Sequence, residues 1–277
     1  MTSIKANGLS IEYETFGAPS SPPVLLIMGL GAQMTLWDPT FCAGLADAGF
    51  YVIRFDNRDV GLSTWFDDSD AIPAYTLSDM AADAAGLLDA LAIDSAHIVG
   101  ASMGGMIAQT FAINYPARTR TLTSIMSTTG ATDVGQPHPD ALQALLAPPP
   151  TSRDEAIELG VALWKVIGSP GYPFHEDEIR ERTGAAYDRA FHPAGTARQV
   201  QAIMAQPDRT GDLGNLRMPT LVIHGADDPL VVPSGGEATA AAVPGATLKM
   251  IPGMGHDLPP ALFDELIADL NKHFNEV

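Results

Sequence analysis

Hydrophobic positions along the chain follow two rhythms, and the switches between them lay out the fold. Ile4-Lys5-Ala6 and Leu9-Ser10-Ile11-Glu12-Tyr13-Glu14 alternate on either side of Asn7-Gly8, the pattern of a two-residue hairpin. Val24-Leu25-Leu26-Ile27-Met28 is apolar at every position, as in a strand buried on both faces, and Gly29-Leu30-Gly31 ends it. Helical spacing from Phe41 to Ala48 stops at Gly49, and Phe50-Tyr51-Val52-Ile53-Arg54-Phe55 is again strand-like. A polar loop, Asp56 to Ser63, precedes a helix from Leu77 to Leu91 that Thr76 or Ser78 is placed to cap. A strand through Ala96-His97-Ile98-Val99, a helix to about Tyr115-Pro116 and a strand from Thr121 to Met126 follow. The strand rhythm returns at Thr220–Gly225 and Ala246–Ile251, and a helix from about Pro260 to Phe274 closes the chain.

Strands alternating with helices predict an α/β fold, a mostly parallel sheet with helices on both faces. The antiparallel start makes the sheet mixed. From about 129 to 216 the rhythm changes: Pro148-Pro149-Pro150, Pro170, Pro173 and Pro193 punctuate segments with helical spacing and no clear strand. The expected organisation is a core domain of 1–128 and 217–277, with a helical cap (lid) insertion of 129–216 over one end of the sheet.

Composition narrows the classes of partner. The chain of 277 residues is 46% hydrophobic and 17% charged, an ordinary packed globule. Its 15 Lys and Arg against 33 Asp and Glu give a formal charge of −18, which repels phosphate backbones and anionic lipid. Neither a nucleic-acid nor a membrane partner is expected, and no apolar run approaches the length of a membrane span. The N-terminus lacks a signal peptide's basic start and apolar core, and the lone Cys42 fits a reducing compartment, so the expected location is cytoplasmic. The 7 histidines show no close metal-ligand spacing and there is no cysteine pair; no metal and no cofactor are expected.

The candidate chemistry starts at Gly100-Ala101-Ser102-Met103-Gly104, where a β-branched run meets a helical pattern. A Gly-x-Ser-x-Gly turn between strand and helix forces its serine into strained backbone, so the residues two positions either side must be small. A serine hydroxyl becomes a nucleophile only when a base takes its proton and a third group orients that base. In such a sheet the partners follow later strands, beyond their carboxyl ends. Ala226-Asp227-Asp228-Pro229 follows one of them, and Pro252-Gly253-Met254-Gly255-His256 follows the last. Ser102, Asp228 and His256 are therefore the expected catalytic residues. Asp228 is favoured over Asp227 because Pro229 rigidifies it, with the exchange of their roles left open. An oxyanion needs two preorganised donors, and the N–H groups of Leu30 and Met103 are placed to supply them. Gly29-x-Gly31 after a strand also invites a dinucleotide reading, but Met34 stands where the third glycine of that fingerprint belongs.

With these residues in view, the chain resembles the α/β-hydrolase superfamily over its whole length. The likeness rests on the Gly100–Gly104 turn, the His224–Pro229 loop and the Gly253–His256 loop. Met28-Gly29-Leu30-Gly31, the run Tyr51 to Thr64 and Pro252-Gly253-Met254-Gly255-His256 are similar to the aclacinomycin methylesterase group. That group shares Met28 in place of the histidine many members carry before Gly29. The resemblance implies the α/β-hydrolase fold with a helical cap and a Ser-His-Asp carboxylesterase acting on a bulky apolar small-molecule ester. Perhydrolase (cofactor-free haloperoxidase), lactonase and C–C bond hydrolase chemistry use the same three side chains, and a low-turnover ligand-binding receptor is the alternative from another class. Met34, Trp37, Trp164, Tyr172, Phe174 and Met204 are the candidate pocket residues. The sequence leaves the natural substrate and the oligomeric state open.

Overall fold

A computed structural model describes residues 1–66 and 74–277. Strands β1 (Thr2–Ala6) and β2 (Leu9–Phe16) form the hairpin around Asn7-Gly8, both of which have positive φ. β3 (Pro23–Ile27) is buried at every position. Helix α1 (Pro39–Asp47) starts where the Asp38 carboxylate accepts the Thr40 N–H at 2.7 Å, and β4 (Tyr51–Phe55) follows. In α2 (Leu77–Ala90) the cap is Thr76: its hydroxyl accepts the Asp79 N–H while the Asp79 carboxylate accepts the Thr76 N–H. β5 (Ala96–Ala101), α3 (Met103–Asn114) and β6 (Thr119–Ile125) complete the first half.

Between β6 and the next strand lie α4 (Pro139–Leu145), α5 (Arg153–Ile167), α6 (Glu176–Arg189), α7 (Pro193–Met204) and α8 (Thr210–Leu213). Exposed ion pairs join α5 to α6, Arg180 to Glu158 at 2.6 Å and Lys165 to Glu176 at 2.7 Å. β7 (Thr220–Gly225), α9 (Ser234–Ala242), β8 (Thr247–Ile251) and α10 (Phe263–Phe274) end the chain. The sequence pattern gave no sign of α9, because Gly235-Gly236 opens it and glycine is a poor helix former. Glycine is required there: a side chain on Gly236 would run into the His224 ring.

The eight strands lie in the order β1-β2-β4-β3-β5-β6-β7-β8. The β1–β2 and β2–β4 pairs are antiparallel and every later pair is parallel. Because strand residues alternate in direction, Leu25, Ile27 and Ile98 join one core with α2 and α3. Val24, Leu26 and Val99 join the other core, with α1 and α10. Both faces are thus covered. The chain leaves β3 for one side of the sheet and reaches β5 on the other, so the order reverses between them. The loops leaving the carboxyl ends of these two neighbours meet at that switch point, where such sheets hold their ligands.

Candidate active site

Ser102 sits at the bend between β5 and α3 with φ +57° and ψ −122°, a backbone region that non-glycine residues rarely occupy. Its own peptide groups hold it there. The N–H donates to the Ile125 carbonyl of β6 at 2.9 Å, and its carbonyl accepts the Ser127 hydroxyl at 2.8 Å and the Gly105 N–H at 2.9 Å. A methyl group on Gly100 would strike the Gly104 carbonyl, and one on Gly104 would strike the Ile27 carbonyl, so both must be glycine for the bend to close.

Two loops from distant parts of the chain reach the serine. His256 follows β8, and its Nε2 lies 2.9 Å from the Ser102 Oγ. Its Nδ1 lies 2.7 Å from Oδ2 of Asp228, which follows β7. The other Asp228 oxygen accepts the N–H groups of Leu230 at 2.8 Å and Val231 at 2.9 Å, which fixes the carboxylate's rotation. All three links are in place for a proton to pass from Ser102 to an oriented imidazole. Asp227 points elsewhere: its carboxylate accepts the Gly253 N–H at 2.8 Å and ties the two loops together. His224 donates to the Val231 carbonyl at 2.7 Å, and His97 is buried with Nδ1 3.0 Å from the Thr121 hydroxyl; neither meets the serine.

The loop after β3 passes Ser102 closely enough that a side chain on Gly29 would lie 3.5 Å from Oγ. The Gly29 carbonyl accepts the Ala32 N–H at 3.3 Å, closing a turn with Gly31 at φ +65°. Across a trans peptide, the Leu30 N–H then points opposite to that carbonyl. Met103 opens α3, where first-turn N–H groups lack intrahelical acceptors. Leu30, Met103, Ser102 and His256 all line one cavity of about 840 Å³.

Trp37, Trp164, Tyr172, Phe174 and Met204 line that cavity too. Met34 does not, and its expected role in the pocket is corrected. Its side chain is fully buried beneath the loop, and its N–H donates to Asp56 Oδ1 at 2.8 Å. Sequence reasoning missed the charged groups on the cavity wall, Asp38, Glu178, Arg182 and Asp257. Arg182 lies over the Trp164 ring at 5.3 Å, and burial pulls its guanidinium below the ordinary arginine range. Burial pushes the Asp257 carboxyl up, against a hydrogen bond from Ser169 and the nearby His256. Asp257 adjoins His256 in sequence, a usable signal; Arg182 reads only as part of a charged helix.

Residues at and after the end of α5 hold the loop that follows β8 directly. The His256 N–H donates to the Ile167 carbonyl at 2.7 Å, the Gly255 N–H to the Ser169 hydroxyl at 2.8 Å, and the Gly171 N–H to the Gly253 carbonyl at 2.9 Å. Among the described residues no group of three or more His, Cys, Asp or Glu is placed to hold a metal ion. No helix among them is long and apolar enough to cross a membrane.

A family model described as the alpha/beta hydrolase fold matches residues 22–165. The chain belongs to this family. Among particular proteins it is similar to the rhodomycin D methylesterase DauP of Streptomyces sp. strain C5, 34% identical with 98% of this chain and 96% of the relative covered. The rhodomycin D methylesterase DnrP of Streptomyces peucetius is 33% identical over 96% and 95% of the two chains. A solved structure of the meta-cleavage product hydrolase CumD from Pseudomonas fluorescens IP01 superposes with a TM-score of 0.83 at 24% identity, covering 100% of this chain and 98% of that one.

Proposed function

We propose that the chain hydrolyses a carboxylic ester through an acyl-serine intermediate. Ser102 gives its proton to His256 Nε2 and attacks the ester carbonyl carbon. The carbonyl oxygen takes the displaced electron pair, and the Leu30 and Met103 N–H groups bind it. His256 then returns the proton to the departing alkoxide, while Asp228 holds the imidazole in the tautomer whose Nε2 is free to accept. A water activated by the same histidine releases the acid. The observation that carries this reading is the unbroken hydrogen-bond chain from Asp228 through His256 to Ser102, ending on the wall of a large cavity.

The substrate reading is a small alcohol leaving from a bulky, largely apolar acyl part. The cavity volume falls in the upper range of small-molecule pockets, and leucine, isoleucine, valine and methionine side chains, with a few aromatic rings among them, supply most of its apolar wall. The methylesterase names of the two Streptomyces relatives support the small leaving group. In this reading 129–216 is the cap that closes the pocket, and the acidic surface with its single buried Cys42 suits a cytoplasmic setting. Labelling with a fluorophosphonate, followed by turnover of a panel of methyl and p-nitrophenyl esters, tests the proposal. Ser102→Ala abolishes labelling and lowers kcat by on the order of 10⁵–10⁶. An S102A protein that hydrolyses p-nitrophenyl acetate at the parental rate removes the mechanism. Labelling without turnover of any ester points instead to a binding protein.

A further inference from the structure

The side chain of Gln199 is fully buried, yet it touches neither the cavity nor the three catalytic groups. It lies on the inner face of α7, a stripe with Gly195, Thr196 and Ala202 at helical spacing. Gly195 packs against the Asp59 carbonyl and Thr196 against Gly31, so this stripe lies on the loops that follow β3 and β4. Gln199 Oε1 accepts the Gly31 N–H at 2.8 Å, and its Nε2 donates to the Arg58 carbonyl at 2.8 Å. A donor at one end and an acceptor at the other fix which way the amide points.

The Gly31 N–H belongs to the middle peptide of the turn closed by Ala32 N–H and the Gly29 carbonyl. The Leu30 N–H belongs to the peptide before it, so the Gln199 contact acts on the turn as a body, fixing where it sits against α7. We propose that Gln199 is a positioning residue for the oxyanion donor: by bridging the Gly31 N–H and the Arg58 carbonyl it anchors the turn that carries the Leu30 N–H beside Ser102. This rests on the ester-hydrolysis reading above. Neighbouring polar contacts reinforce the same joint, with Gln33 Nε2 donating to the Ala186 and Ala190 carbonyls at 2.7 and 2.9 Å and Arg189 Nη1 donating to Gln33 Oε1 at 2.6 Å. Only Gln199, however, binds the turn peptide itself among these residues. The helical insertion therefore completes the catalytic centre as well as covering it.

Gln199→Met keeps the length and packing of the side chain and removes both hydrogen bonds; Gln199→Ala removes packing as well. The expected result for Q199M is a fall in kcat for p-nitrophenyl acetate of about 10- to 100-fold, the scale of a slightly misplaced donor, with KM changed less than about threefold. Affinity for an aryl trifluoromethyl ketone, which forms a tetrahedral oxyanion on the serine, falls by the same factor as kcat. A merely structural role leaves that match absent. Q199M with wild-type kcat and ketone affinity, beside a damaged Q199A, assigns the residue to packing and overturns the inference. Should the variants not fold, amide hydrogen exchange in the wild-type protein decides it: the Gly31 N–H is strongly protected if Gln199 holds it, and exchange at the rate of an open loop overturns the proposal. A wild-type enzyme that turns over no ester refutes the hydrolysis reading itself, separately from either outcome.

Discussion

Asp228→Asn separates the two adjacent acids on geometric grounds. Asp228 Oδ1 is committed to the N–H groups of Leu230 and Val231, so in the variant this position must remain an oxygen. The new NH₂ group then occupies the place of Oδ2, facing His256 Nδ1 where the two atoms now lie 2.7 Å apart. A donor there compels Nδ1 to accept, and the ring proton moves to Nε2. The imidazole then presents N–H to Ser102 across the 2.9 Å contact and has no lone pair to take the serine proton. A correctly shaped site with the wrong tautomer loses on the order of 10⁴ in kcat, equivalent to about 5 kcal/mol of transition-state stabilisation. Asp227→Asn leaves an amide oxygen for the Gly253 N–H, so its kcat falls by less than about threefold. The assay is steady-state hydrolysis of p-nitrophenyl acetate, with thermal melts to establish that each variant is folded. D228N retaining a tenth or more of the parental kcat while D227N loses activity refutes the assignment and the tautomer argument with it.

Two further expectations concern stability. The Arg58 guanidinium and the Asp83 carboxylate are both buried and meet at 2.6 and 2.8 Å, with the Asn7 amide donating to the same carboxylate at 2.8 Å. Asp83→Ala strands a buried cation and lowers unfolding free energy by about 3–5 kcal/mol in urea melts, whereas Arg58→Met combined with Asp83→Ala recovers part of that loss; equal losses in the two proteins rule out the stranded charge. His97 is held neutral by burial, with Arg120 and His273 adding to the effect, and its pKa is lowered to about 4 from an ordinary 6.5. A depressed folded-state value means the unfolded chain binds the proton first, so stability is complete above about pH 6.5 and declines as pH falls toward 4, by about 3 kcal/mol for this residue. Burial likewise lowers His224 and His273 and steepens the decline. His97→Gln flattens the dependence of Tm on pH across that window; an unchanged slope excludes His97 as a source.

The elements that position the site were legible because each repeats a local rule. Apolar strands, the Gly100–Gly104 turn and the acid and base loops follow from side-chain period and turn chemistry over a few residues. The Asp228 preference rests in sequence on Pro229 and on its place three residues past Gly225, and the contacts of Asp227 with Gly253 and of Asp228 with His256 distinguish the pair in space. Met34 follows the Gly29–Gly31 turn in sequence, but its side chain is fully buried in the core and off the cavity wall. Gln199, Ser169 and Arg182 were illegible for a different reason. Their partners lie as far as 168 residues away, as for Gln199 and Gly31, and no period records which residue of an insertion meets which loop of the core.

The polar groups around the site also explain how a strained serine persists. Backbone in the region Ser102 occupies costs about 1–3 kcal/mol and survives only where its surroundings over-determine it. At Ser102 the surroundings come from four places. β6 takes its N–H, Ser127 and the first turn of α3 fill its carbonyl, and β3 closes from below on Gly104. Its hydroxyl is then the one polar group of the residue left for chemistry, aimed at His256. The loop after β8 is tied to the sheet and to the loop after β7, through the Met254 N–H on the Ile251 carbonyl and the Asp227 N–H on the Met254 carbonyl. Both it and the loop after β3 are also held by residues between β6 and β7, through Ile167 and Ser169 at His256 and Gly255 and through Gln199 at Gly31. Rigidity at Ser102 thus comes from the sheet and α3, at Asp228 from its own loop, and at His256 and Gly31 in part from the helices between β6 and β7. Sequence changes in the insertion that widen the pocket for a new ester must therefore spare those three contacts, or the altered enzyme loses turnover before it gains a substrate.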